Sequence, residues 1–138
     1  MKNRKPIHDN WKTPDYLIDS IKEIYFNDVD YFDPCPLDHK FDGLNMEWED
    51  NNYINPPYSR KLKELFIRKA YEESKKGKRC IMLLPVSTST KIFHEIIKPN
   101  CHIDFLKGRV KFIGINSKGE KVSNKCGMHD SMIIEFKR

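Results

Sequence analysis

Asn55-Pro56-Pro57-Tyr58 is the stretch whose residue types come closest to a chemical tool. Two adjacent prolines stiffen the backbone and supply no N–H. The Asn55 amide oxygen and the Pro56 carbonyl are then acceptors that can be aimed at one atom. An amine on an aromatic ring is a target that such a pair suits. Its lone pair is delocalised into the ring, so it is a poor nucleophile. Two acceptors facing its N–H groups draw the nitrogen toward tetrahedral geometry and free the lone pair for methylation. Tyr58 can stack on the ring and hold it. No strong base is needed, because the nitrogen sheds its proton readily once it carries the methyl group. A base within a duplex would have to leave the stack to reach such a pocket. The competing reading is a rigid turn and nothing more.

Such a loop acts only if regular elements hold it. Thr13-Pro14-Asp15 predicts a helix start, with Thr13 as cap and Pro14 in the first position. Tyr16, Leu17, Ile21, Ile24 and Tyr25 then recur at helical spacing. "VDYFDPCP" predicts a short strand ended by Pro34 and Pro36. Residues 37–52 read as irregular, with a short element around Leu44 to Trp48, and "NYINPP" as a second strand stopped by proline. Ser59 caps a helix running to about Lys76, and Gly77 closes it. "RCIMLLPV" is continuously apolar, the pattern of a central strand covered on both faces. "STSTKIFHEIIK" predicts a helix with Phe93, Ile96 and Ile97 inward, and "HIDFLKGRVKFI" a strand bent at Gly108. A turn at "NSKGEK" and a last strand, "SMIIEF", complete the order. Helices alternating with strands predict an open α/β sheet with helices on both faces. Ligands in such sheets sit beyond the carboxyl ends of the strands. Asp33-Pro34 and Asn55-Pro56-Pro57-Tyr58 both fall at such ends, so they should face one crevice.

The 138 residues suffice for one core, and neither a repeat nor a linker is visible. No apolar run approaches the roughly 20 residues of a membrane helix, and the N-terminus has no apolar signal region, so a cytoplasmic protein is expected. The net charge of +5 favours a polyanionic partner. "KGRVKF" places Lys107, Arg109 and Lys111 beside Phe112 on what reads as a short strand, a set suited to phosphates and a base. Cys35, Cys80, Cys101 and Cys126 form no C-x-x-C pair. Cys35/His39, Cys101/His102 and Cys126/His129 are metal half-sites only in outline, and no metal is expected.

An N-P-P-Y loop after a strand resembles the catalytic motif of S-adenosylmethionine-dependent amino-methyltransferases. The chain as a whole resembles the small phage-type DNA N6-adenine methyltransferases. The resemblance runs nearly end to end: Trp11-x-Thr13-Pro14, Asp33-Pro34, Asp42-Gly43-Leu44 followed by Trp48, Asn55 to Ser59, Leu83-Leu84-Pro85, and Gly108 to Phe112. It implies a Rossmann-like methyltransferase sheet with an antiparallel strand near the C-terminus, in one domain over residues 1–138. It also implies S-adenosylmethionine as cofactor, DNA as partner, and a role in DNA modification such as restriction–modification. Asn55, Pro56, Pro57 and Tyr58 would be catalytic. Asp33, Pro34 and Cys35 match the first cofactor motif, near the methionine end. Trp11, Thr13 and Pro14 match the segment closing over that end, and Asp42 with Leu44 lies where an acid meets the cofactor adenine. Tyr58, Arg109, Lys111 and Phe112 would contact the DNA substrate.

Two departures from the family pattern stand out. "DPCPLDHKFDG" has no glycine before Gly43, where a glycine-rich cofactor loop is usual. Only 22 positions separate Asp33 from Asn55, too few for the two further strands of the full sheet. The Asp33 strand should therefore pass almost directly to the Asn55 strand, in a sheet trimmed on that side. The ribose-binding acid of the missing strand has no obvious equivalent, with Asp38 as a candidate. No separate target-recognition domain is expected, and the oligomeric state, a homodimer included, stays open. Other acceptors (cytosine N4, RNA adenine, protein glutamine) and a non-catalytic nucleic-acid-binding remnant remain alternatives.

Overall fold

A computed structural model describes residues 12–36, 41–57, 59–115, 121–123 and 129–138. Its centre is a four-stranded sheet built from β1 (Asn51–Ile54), β2 (Arg79–Pro85), β3 (Cys101–Phe105) and β6 (Ser131–Phe136). The strand order is β1-β2-β6-β3. β1 and β2 are parallel, and β6 runs antiparallel to both of its neighbours, β2 and β3. A separate hairpin pairs β4 (Ile113–Ile115) with β5 (Lys121–Ser123).

β2 shows why the fold has two apolar layers. Side chains alternate along a strand, and both sets on β2 are apolar. Cys80, Met82 and Leu84 enter one layer, with Phe66, Ile67 and Ala70 of helix α2 (Arg60–Lys75) and with Ile92, Phe93 and Ile97. Ile81 and Leu83 enter the other, with Ile21 and Phe26 of helix α1 (Asp15–Phe26) and with Val110 and Phe112. The helices therefore lie on both faces of a mixed α/β sheet, as the alternation predicts.

Several expectations need correction. The strand expected over "VDYFDPCP" shrinks to one parallel bridge, Phe32 to Asn52. Its placement still sets Asp33 directly beside β1, as the short interval requires. α1 begins one residue later than expected. Pro14, extended at φ −62° and ψ 149°, takes the cap position, and the Thr13 hydroxyl bonds elsewhere. The long strand expected over "HIDFLKGRVKFI" ends at Phe105. Gly108 sits at φ +78°, in the left-handed region and outside the extended range of regular strand residues. "KGRVKF" is therefore a loop, and its alternation of exposed Arg109 and Lys111 with buried Val110 and Phe112 only imitates a strand.

The helix over residues 91–100 is widened: Phe93–Ile97 is a π segment, followed by a last turn at Lys98–Asn100. Pro99 explains it. Proline has no N–H to give and its ring crowds the carbonyl four residues back. The neighbouring Lys98 N–H reaches back to the Phe93 carbonyl instead. Gly77 closes α2 as expected, at φ +91°. α2 is fastened to the segment before β1 through buried Glu73, which accepts from the Trp48 N–H at 3.3 Å and from Lys78 at 2.6 Å.

Candidate active site

The strand ends meet along one edge of the sheet. Asp33 follows the Phe32 bridge, Asn55 follows β1, and Val86 follows β2. β6 runs the other way, so it begins at this edge. The Val86 N–H donates to the Asp130 carbonyl at 2.9 Å, and the Leu106 N–H to the Ser131 carbonyl at 3.0 Å, stitching the edge together.

Two recesses open here, and Asn55 lines both. The first, about 100 Å³, is walled by Lys12, Thr13, Tyr31, Asp33, Cys35 and Tyr53 besides Asn55. The Asp33 carboxylate accepts from the Cys35 N–H at 2.9 Å, which folds the Asp33-Pro34-Cys35 turn and points an acid at the recess. The Thr13 and Tyr53 hydroxyls, both buried, share a hydrogen bond of 2.6 Å. That bond fastens the segment leading into α1 to β1, just ahead of Asn55. Tyr31 meets Tyr53 edge-on at 5.6 Å between ring centroids. Burial raises the Tyr53 hydroxyl far above the usual tyrosine range, against the opposing Thr13 hydrogen bond. Burial first, then the Asp33 charge, raises that of Tyr31. Both phenols stay neutral at ordinary pH, leaving Asp33 the negative group of this wall.

The second recess, about 10 Å³, lies on the other side of Asn55. Pro56, Leu83, Pro85, Val110, Phe112 and His129 form it. It is apolar apart from Asn55, His129 and Ser131, and is open by about the volume of one water. Pro56 and Pro57 are both buried.

Of the residues singled out from sequence, the fold brings Thr13, Asp33, Cys35 and Asn55 to the first recess and Asn55, Pro56 and Phe112 to the second. Pro14 is buried beneath the start of α1. Pro34 is buried, and its carbonyl lies against Gly43, where an added Cβ would stand 1.8 Å from the oxygen. Asp42 and Leu44 line neither recess. Asp42 caps the 3-10 turn Gly43–Asn45, accepting from the Leu44 N–H at 3.0 Å and the Asn45 amide at 2.5 Å. Leu44 packs on the core layer of α2. Trp48 donates its indole N–H to the Gly43 carbonyl at 2.7 Å, so the spacing of Asp42, Gly43 and Trp48 builds one folded turn against Pro34. Arg109 is exposed and pairs with Asp130 at 3.4 Å, and Lys111 is exposed. Trp11, Asp38 and Tyr58, and the half-site members His39 and Cys126, lie outside the described residues.

Sequence reasoning missed Tyr31, Tyr53, Lys12 and His129. Tyr53 carried a usable signal: it sits two positions before Asn55 and therefore on the same side of the strand.

The family model for the DNA N-6-adenine-methyltransferase (Dam) family matches residues 1–138. No curated protein and no solved structure matches the chain.

Proposed function

The chain belongs to the DNA N-6-adenine-methyltransferase family, and from that premise we propose that it methylates the N6 amine of adenine in DNA at Asn55, with S-adenosylmethionine as donor. One observation carries this reading: Asn55 is the residue common to an acid-bearing recess and an apolar one. A transfer between two ligands needs a group at their border, and this is the position of the residue whose amide suits an amine acceptor.

The first recess fits the methionine end of the cofactor by its donor set. Asp33 offers a carboxylate to an ammonium or sulfonium, and Lys12 on the rim offers a cation to a carboxylate. At about 100 Å³ the recess holds that end only; pockets for whole ligands run to roughly 300–1,000 Å³. Bound there, S-adenosylmethionine supplies an electrophilic methyl group. Thr13, through Tyr53, holds the wall in place.

On the acceptor side, the Asn55 amide oxygen and the Pro56 carbonyl accept from the two N–H groups of the adenine amine. Phe112 and Val110 offer the ring an apolar wall, and we assign the opposite stacking face to Tyr58. Adenine leaves the duplex to enter. The recess is closed to a ring as it stands, so the 106–112 segment must part from residues 129–131 as the base arrives. Arg109 and Lys111, exposed on that segment, are placed to meet phosphates. We read the sheet as Rossmann-like and trimmed beside β1. The reversed β6 between β2 and β3, and the Asp33 segment lying directly against β1, support that reading.

Two assays on the full chain test the proposal. Calorimetry with S-adenosylhomocysteine should show binding that Asp33→Ala removes. Methyl-labelled cofactor should then leave label in unmethylated DNA. A wild-type chain that binds no cofactor product and labels no DNA contradicts the reading.

A further inference from the structure

A further recess among the described residues is neither half of this site. It has a volume of about 170 Å³ and lies on the other face of the sheet, between the first turns of α2 and the 91–100 helix. Leu84 and Pro85 line both it and the acceptor recess, so the two adjoin across the strand-end edge.

Its floor is apolar, formed chiefly by Ile67, Phe93 and Met132, and its rim carries Arg60, Lys63 and Ser87. Arg60 is engaged with Glu64 at 3.4 Å. Lys63 is half-buried and, among the described residues, makes no side-chain hydrogen bond or ion pair. Burial lowers its ammonium below the usual lysine range, with the Glu64 charge opposing and Arg60 adding to the shift. A cation drawn from water without a partner is costly, and an arriving anion would relieve that cost. The π segment supplies Phe93 and Ile97 to the floor, and such widened turns recur at functional sites.

The occupant that fits has a flat apolar part and an anionic end. Drug-sized pockets start at roughly 300 Å³, so this one takes a single ring system. Phe93 on the floor suits the face of a base, since bases stack on aromatic side chains. The net charge of +5 favours a polyanion.

We infer that this recess receives one unstacked nucleobase, with its phosphate on Lys63 and Arg60, from the nucleotide next to the target adenine. The inference rests on the methyltransferase reading for the identity of that strand. It would make the neighbouring base part of what the enzyme recognises.

The test is fluorescence anisotropy with the full chain and a labelled single-stranded oligonucleotide holding one adenine. An abasic residue is placed at each flanking position in turn, and deoxyadenosine monophosphate serves as competitor. One flanking abasic position should weaken wild-type binding by roughly five- to 150-fold, the worth of one stacked base. Lys63→Met should weaken binding to the intact oligonucleotide and reduce the slope of log K against log salt by about 0.7, one phosphate's share for a single strand. Ser87→Trp, which crowds the rim and leaves the core intact, should remove the sensitivity to the abasic position. If the oligonucleotide binds but neither abasic position nor Lys63→Met changes its affinity, the pocket assignment falls and the methyltransferase reading stands. If the oligonucleotide does not bind but the mononucleotide does, in a Lys63-dependent way, the pocket stands with a free nucleotide as its ligand, and the DNA reading falls. Binding of neither overturns both.

Discussion

Thr13 and Tyr53 show how single residues hold a site they need not touch chemically. Their shared hydrogen bond is buried between α1 and β1. Thr13→Val keeps the shape and leaves the Tyr53 hydroxyl buried without its partner. That should cost roughly 1–3 kcal/mol, seen as a lower midpoint in thermal unfolding, with Thr13→Ser restoring most of it. An unchanged midpoint would mean the pair contributes nothing. Gly43 makes a sharper case. A methyl group there meets the Pro34 carbonyl at 1.8 Å, so the backbone of one turn or the other must move. Gly43→Ala should lower stability by at least the roughly 1–3 kcal/mol of an overpacked core. It should also weaken S-adenosylhomocysteine binding in calorimetry, because Pro34 adjoins Asp33 and Cys35. This was only half legible in sequence. The absence of glycines from "DPCPLDHKF" reads as a loss of close approach. The structure shows a different close approach, Gly43 against the Pro34 carbonyl, between two turns of the chain.

Among the elements, α2 depends on a buried charge. Glu73 lies beneath the helix, and burial alone would raise its pKa. Hydrogen bonds from Lys78, Lys69, the Trp48 N–H and Lys76 outweigh burial and hold it at about 2. A carboxylate whose folded pKa is depressed stabilises the fold above its ordinary pKa of 4.5 and loses that contribution as pH falls toward 2. Acid unfolding of the wild type should therefore steepen across that window. Glu73→Gln should flatten the window and cost roughly 3–5 kcal/mol at neutral pH, because three lysines lose their buried partner. Chemical denaturation at pH 7 and pH 3 measures both. Equal losses of stability in wild type and variant on acidification would contradict the account. The helices and β2 were legible because hydrophobic period alone specifies them. The 106–112 loop was not, since Val110 and Phe112 alternate with exposed charges as a half-buried strand would. Gly108 at a positive φ decides against pairing. The π segment had a signal in Pro99, but period alone does not distinguish five-residue from four-residue hydrogen bonding.

At the scale of the molecule, one edge of a small sheet collects chemistry from separated parts of the chain. Residues 12–13, 31–35, 53–56, 110–112 and 129–131 meet there because strand ends must coincide once β1, β2 and β6 pair. That convergence was legible: two proline-stopped strands imply one crevice. The second pocket, behind Leu84 and Pro85, was not, because its floor draws on α2, the 91–100 helix and β6, whose packing no motif announces. The account's central claim is that Asn55 stands where donor and acceptor meet and that the acceptor is adenine N6. Its most direct test is digestion to nucleosides of unmethylated DNA after incubation with the chain and methyl-labelled S-adenosylmethionine. The label should appear in N6-methyladenine, and Asn55→Ala should lower its rate by about 10²–10³-fold while S-adenosylhomocysteine still binds. Label in another nucleoside, or an Asn55→Ala chain as active as the wild type, would contradict it.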